Sequence, residues 1–368
     1  MLKLKKILAL SLIPQYLIIQ FLSYYPDLIE IIYSNYIYKF ISTFLRRISI
    51  KIPFSIGDIF YLFLGLFSIY WIIINIKSPK KLFIEIFAVI SIIYFFFNLS
   101  WGLNYYRAPI NSQVEDISYS YEDLNKFTAE LIEKINKLHN ELALNDTLKV
   151  VLPYNFKKNS RIAINNYNRL SKKYMSKNAE NSLMIRSLKS VSIFTNNKNN
   201  ENIKKSILSY PLTYMGFSGY LNPFTHEYNI NRLIPNNSIP MVMSHEIAHE
   251  IGFSSEMEAN FIGYIALISS DNLYYQYFGN TFALKQCLSE LQKDNKEIYN
   301  SHLSSINRGI LKNYREIFEF WDNYNNPFEP IIKKIYDSFL KINKVKNGIR
   351  SYNQSLSLIL NYNKFYND

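Results

Sequence analysis

His245-Glu-Ile-Ala-His-Glu-Ile-Gly-Phe-Ser-Ser-Glu-Met-Glu-Ala-Asn260 is the stretch on which fold and chemistry turn. Positions i and i+4 of a helix share one face, a turn apart. His245 and His249 can therefore aim two imidazoles at one metal ion. Glu246 projects beside them, where it can act as general base toward a water molecule. Gly252, three residues past His249, suits the left-handed end of a helix. Ser254-Ser255 can then start a second helix that carries Glu256 and Glu258 back toward the same place. Catalytic zinc takes three protein ligands and leaves a position for water. A carboxylate on that second helix completes the set.

Two acids compete for this role. Two residues apart on a helix, they point about 200° away from each other, so one of them reaches the metal. With Ser255 as N-cap, Glu258 stands at N3 and can close a capping box. That leaves Glu256 as the metal ligand, with Glu258 as the alternative. Asn260, on the same face as Glu256, is placed to hold a ligand imidazole by its other nitrogen. Hydrolysis also needs an oxyanion donor, and Tyr352 and His226 are both candidates. His226 reads otherwise as a turn residue of Thr225-His226-Glu227. His139 lacks a partner at metal spacing and reads as a surface or helix-C-terminal residue rather than a ligand.

A chain of 368 residues holds a membrane part plus one soluble domain of ordinary size. Its net charge of +12 is spread over Lys- and Asn-rich segments instead of one basic motif. That pattern argues against a nucleic-acid partner and for a solvated surface attracted to anionic lipid. Cys287 is the only cysteine. Any metal must then be held by His and carboxylate, and no intrachain disulfide can form.

Three apolar stretches, 7–25, 59–76 and 82–103, approach the ~20 residues a helix needs to cross the hydrocarbon core. The first passes into Tyr24-Tyr25-Pro26 with no small-residue cleavage site, so an uncleaved anchor is expected over a signal peptide. Lys3, Lys5 and Lys6, together with Lys77, Lys80 and Lys81, belong on the cytoplasmic side. This places everything after Tyr106 outside the cytoplasm. The loop from about Pro26 to Asp58 carries Lys39, Arg46, Arg47 and Lys51 with apolar residues at helical spacing, which predicts an interfacial amphipathic helix. Trp101, Tyr105 and Tyr106 read as an aromatic belt closing the third span.

Residues 107–368 form the expected soluble domain. After a linker from Pro109 to Ser120, helices are predicted over 121–144, 156–177, 261–268, 272–292, 301–324, 328–345 and 351–363. The Asn-Lys run at 196–205 reads as a solvated loop. Turn residues between short aromatic runs predict a small hairpin over Met215 to Asn231. Such strands, just before the motif helix, could offer an edge to an extended peptide. Pro235 and Pro240 on one side and Ser254 and Ser255 on the other keep the motif out of any long apolar run, which excludes an intramembrane protease.

His245 to His249 followed by Glu256-Met-Glu-Ala-Asn260 resembles the gluzincin pattern, in which a Glu with Ala-Asp or Ala-Asn behind it is the third zinc ligand. That resemblance adds weight to Glu256. It departs from ordinary gluzincins in the short interval, since six residues separate His249 from Glu256. Nearly the whole chain also resembles a family of uncharacterised bacterial membrane proteins. The likeness rests on Trp101-Gly-Leu-Asn-Tyr-Tyr-Arg107, Gly219-Tyr-Leu-Asn-Pro-Phe-Thr225 and the zinc motif. The expectation is a mainly α chain, with N-terminal transmembrane helices (1–106) and a zincin-like α+β metallopeptidase domain. The protein would be a multi-pass membrane protein of the bacterial inner membrane. It would use Zn2+ at His245, His249 and Glu256, with Glu246 as base, to hydrolyse a peptide or protein substrate outside the cytoplasm. A silent scaffold that keeps zinc for structure is the alternative, and Glu246 argues against it, because a structural zinc needs no base.

Overall fold

Apolar runs in lipid must satisfy their backbone internally, which leaves helices as the economical solution near the N-terminus. The computed structural model describes residues 2–110, 119–175, 202–345 and 355–366. Helices α1 (Leu2–Leu10) and α2 (Leu12–Leu22) continue one another across Ser11. Then comes α3 (Pro26–Ser49), π-helical over Ile29–Ile37, followed by α4 (Ile56–Asn75) and α5 (Pro79–Ser100). Helices α4 and α5 are long and apolar enough to cross a membrane. The first stretch joins that count only together with α3, from which it is bent by 99°. Two to three crossings are thus available by length and composition.

Polar contacts align α1–α2 with α5. Lys5 Nζ meets Glu85 at 2.5 Å, and Ser11 and Gln15 both meet Ser91 at 2.9 Å. Partners advance together along both helices, so the two run in parallel. Their leading lysine clusters therefore stand at the same end.

Helix α3 differs from the expected interfacial helix with its charges in water. Lys39 and Arg46 are buried, and the polar side faces the rest of the protein. Ser34 donates to Asn104 at 2.9 Å, Arg46 to Glu250 at 3.3 Å, and Ser49 to Asn202 at 3.0 Å. Ile31, Ile32, Tyr36, Phe40 and Phe44 are exposed on the outer side. Buried charge is tolerated where it finds a partner: Lys39 donates to Asn35 one turn away, and the partner of Arg46 lies far along the chain.

The remainder comprises α6 (Tyr121–Leu142), α7 (Phe156–Met175), β1 (Ile203–Lys205), α8 (Ser209–Tyr214), β2 (Gly219–Leu221) and β3 (Tyr228–Ile230). It continues with α9 (Ile239–Glu250), α10 (Glu256–Ile268), α11 (Leu273–Asp294), α12 (Lys296–Ser304), α13 (Arg308–Asp322), α14 (Glu329–Ile342) and α15 (Ser355–Tyr366). The predicted hairpin is β2–β3, in a sheet of order β1-β3-β2 with β1 parallel to β3. Strand β1 corrects the reading of 196–205 as wholly a solvated loop: Ile203 is buried and pairs with Tyr228. Three residues carry no readable alternation, so the partner strand decides the conformation. The single helix predicted over 301–324 is two, α12 and α13, with buried Ile306 at the break and Asn307 hydrogen-bonded to Asn136 and Asn140. His139 is not a surface residue. It is fully buried, with Nε2 2.9 Å from the Leu148 carbonyl.

Helix α10 lies at the centre. From Glu258 to Leu267 every residue is buried. The apolar core runs continuously from Ile19, Tyr33 and Trp101 through Met243 and Ile262 to Leu284 and Cys287.

The first turn of α4 is plugged into the β2–β3 turn. Ser55 caps it by accepting from Asp58 N at 2.9 Å. The Glu227 carboxylate accepts from Ile56 N at 3.1 Å and Gly57 N at 2.7 Å, a favourable place for an anion. A Cβ at Gly57 would collide with Asn222, so glycine lets the helix end approach this closely. Asp58 in turn accepts from Ser206, Ile207 N and Tyr220.

Candidate metal centre

Helix α9 ends in a Schellman turn, the local feature that builds the site. Gly252 N donates to the His249 carbonyl at 2.9 Å and Phe253 N to the Ala248 carbonyl at 3.1 Å. Gly252 has φ +104°, open to glycine and strained for other residues. This tight reversal is how six intervening residues suffice to bring Glu256 back over the two histidines. It also turns the Phe253 carbonyl onto His249.

Both imidazoles are oriented from behind. His245 Nδ1 donates to Asn260 Oδ1 at 2.8 Å, and His249 Nδ1 donates to the Phe253 carbonyl at 2.6 Å. A neutral ring that donates from Nδ1 keeps its lone pair on Nε2. His245 Nε2 lies 3.0 Å and His249 Nε2 3.3 Å from Glu256 Oε2. One ligand atom from each of His245, His249 and Glu256 lies within 4.8 Å of the others, a group that could hold a metal ion. Three electron-rich atoms converging in a buried site call for a cation between them. In the protein alone a proton takes that place. Burial disfavours charge on His249, yet Glu256 beside it prevails and raises its pKa to about 9. Burial also opposes ionisation of Glu256, but His249 and His245 hold it well below the ordinary carboxylate range.

Glu258 does not cap its helix. Ser255 makes no side-chain cap bond, and the Glu258 carboxylate accepts instead from Ile110 N at 2.7 Å. Burial raises its pKa to about 7, opposed by the hydrogen bond from Ile110 N and by the Arg107 charge. It faces the segment entering from α5, whereas Glu256 faces the histidines.

Glu246 is buried, with Oε2 lacking a hydrogen-bond partner. Burial raises its pKa, and the neighbouring histidines work the other way. It borders two cavities of about 490 Å³ and 690 Å³, which share Met215, Phe217, Gly219, His245, Glu246 and Tyr336. Gly219 lies on β2, at the edge of the sheet. A Cβ there would come within 2.9 Å of Glu246 Oε1.

The proposed oxyanion donors fare differently. Tyr352 lies outside the described residues. His226 is fully buried with φ +53°, its Nε2 3.2 Å from the Ser100 carbonyl, and it borders neither cavity. Tyr336 of α14, which no motif announces, donates to Glu256 Oε1 at 2.7 Å and lines both cavities.

Trp101 and Tyr105 are not an interfacial belt. Trp101 is buried and donates from Nε1 to the His249 carbonyl at 3.4 Å, and both aromatics line the larger cavity. Arg107 holds Glu30 through two bonds of 2.6 Å and donates to the Gly252 carbonyl at 2.9 Å. Tyr38 donates to the Glu250 carbonyl at 2.6 Å. The membrane-proximal segments therefore clamp the Schellman turn. No curated protein and no solved structure matches the chain. A family model matches residues 33–360, and the chain belongs to that family, described as protein of unknown function DUF3810.

Proposed function

We propose that the protein is a membrane-anchored zinc-dependent peptidase, with His245, His249 and Glu256 as ligands and Glu246 as general base. The observation that carries it is the pairing of a converging three-ligand group with an unpartnered, buried Glu246 at the mouth of two cavities. The donor set of two imidazoles and a carboxylate suits zinc, which when bound supplies a Lewis acid and lowers the pKa of a water. Glu246 accepts the proton of the attacking water and delivers it to the leaving amine. Burial raises its pKa, which makes it a better proton acceptor than a solvated carboxylate. The open edge of β2, with Gly219 against Glu246, offers backbone groups to an extended peptide. Two ligands on one helix and a Glu on the next, with a sheet alongside, support a zincin-like α+β domain. The shared end of the lysine clusters supports a domain outside the cytoplasm of a multi-pass protein.

Glu246→Gln tests the reading. The variant is expected to retain one equivalent of zinc, by metal analysis, and to lose peptide hydrolysis by about 10³-fold or more. Unchanged turnover would refute the peptidase reading and leave a structural metal.

A further inference from the structure

The larger cavity is not confined to the soluble part. It touches His245, Glu246, His249 and Glu256 at one end and Tyr61 of α4 with Ile90 and Ile93 of α5 at the other. Ile90 is ten residues before Ser100, the end of α5, so the cavity follows that helix for about 15 Å, half of a ~30 Å hydrocarbon core. Among the described residues, α4 buries only Gly57 and Asp58, both in its first turn. Beyond that turn no residue of α4 is buried among the described residues, and the cavity lies against Tyr61 of α4 and Ile90 and Ile93 of α5, the two helices that can cross a membrane. The smaller cavity, on the other side of Glu246, is bordered by polar groups including Asn237, Asn260, Thr281, Lys285 and Asn313. Glu246 thus sits where a strongly apolar groove meets one with more polar groups on its wall.

We propose that the larger cavity receives the alkyl chain of a lipid-anchored peptide, which enters from the bilayer between α4 and α5 and presents its scissile bond to Glu246. The peptide part occupies the smaller, more polar cavity and the β2 edge. The lining of the groove selects this occupant. Its far end presents Ile90, Ile93 and Phe97, and its imidazoles and carboxylates gather at the metal-ligand end, a gradient that fits an apolar chain joined to a peptide. Transfer from lipid to the groove brings little hydrophobic gain, since lipid tails are equally apolar. The contribution of the chain is to orient the scissile bond. This inference rests on the peptidase reading for its chemistry and stands on the cavity for its binding.

The test uses the full chain, loaded with zinc, in nanodiscs. Two fluorogenic peptides of one sequence are compared, one N-palmitoylated and one N-acetylated. The palmitoylated peptide is expected to be cleaved with a kcat/KM about 10-fold or more higher, from orientation. Ile93→Trp, which fills the groove away from the metal ligands, is expected to abolish that preference, with zinc content and thermal transition close to wild type. Ile93 is 38% exposed and Ile90 43%, so a larger ring has room to fold at either site, and Ile90→Trp is the second variant. Partitioning of the palmitoyl peptide into the disc is the same for wild type and variants. A preference that survives both variants therefore overturns the proposal. A separate arm uses Glu246→Gln and a palmitoyl peptide with a diazirine on its chain, with cross-links mapped by mass spectrometry. Adducts at Tyr61, Ile90 or Ile93, lost in Ile93→Trp, support the groove even if neither peptide is hydrolysed, in which case the peptidase reading alone fails. Adducts confined to outward residues such as Phe63 and Phe96 overturn the groove while leaving that reading intact.

Discussion

Single side chains decide how well the metal group is held. Tyr336 Oη fixes Glu256 Oε1 at 2.7 Å, leaving Oε2 for the histidines. Partners behind a ligand typically control affinity by 10–100-fold. Tyr336→Phe is therefore expected to weaken zinc binding by about 10–100-fold in chelator competition, with a thermal transition close to wild type. An unchanged zinc affinity would remove Tyr336 from this role. His226 contributes to acid sensitivity. Burial lowers its pKa from 6.5 to about 3. The unfolded chain takes up a proton near 6.5 that the folded chain refuses until about 3, so stability falls as pH drops across that window. Between pH 7 and 5 this amounts to about 2 kcal/mol. His226→Gln should show a smaller loss of melting temperature over that interval than wild type. An equal loss in both proteins would assign acid sensitivity elsewhere.

Elements meet through contacts that no local pattern announces. The Arg46–Glu250 pair joins α3 to α9 across 204 residues, and Tyr336 reaches Glu256 across 80. The convergence of His245 and His249 was legible because i and i+4 spacing is a local geometric fact. The return of an acid to them was legible because Gly252 marks where the chain reverses, but the capping box that set Glu258 aside in favour of Glu256 does not form. The polar face of α3 was visible as a helical stripe, but its destination was not, because charge on a stripe reads the same toward water or toward a buried carboxylate. Strand β1 was hidden by its length and by lysines that pair within a sheet. Arg46→Met leaves Glu250 buried without its partner, a change expected to cost about 3–5 kcal/mol. Adding Glu250→Leu should recover most of that loss, measured by thermal melts in detergent. No recovery in the double variant would show that the pair is not what docks α3.

At the scale of the whole molecule, the first hundred residues are part of the site rather than a tether for it. Trp101, Arg107, Tyr38 and Arg46 all contact the segment from His249 to Gly252. The expected division at Tyr106 would cut through these contacts. The parallel course of α1–α2 and α5 places both lysine clusters at one end, and the metal group lies beyond the other. A reporter fused after Asp368 should therefore be active as an extracytoplasmic enzyme and silent as a cytoplasmic one; the reverse pattern would refute that orientation. Cys287 adds a practical property. It is fully buried, with burial pushing its thiol up to about 12, so at neutral pH almost none of it is reactive thiolate. The native chain is therefore dark to maleimide dyes. A cysteine introduced at Ile93 or Tyr61 would be its single labelled site, and the colour of an environment-sensitive dye there would report directly whether the groove holds lipid, water or a substrate chain.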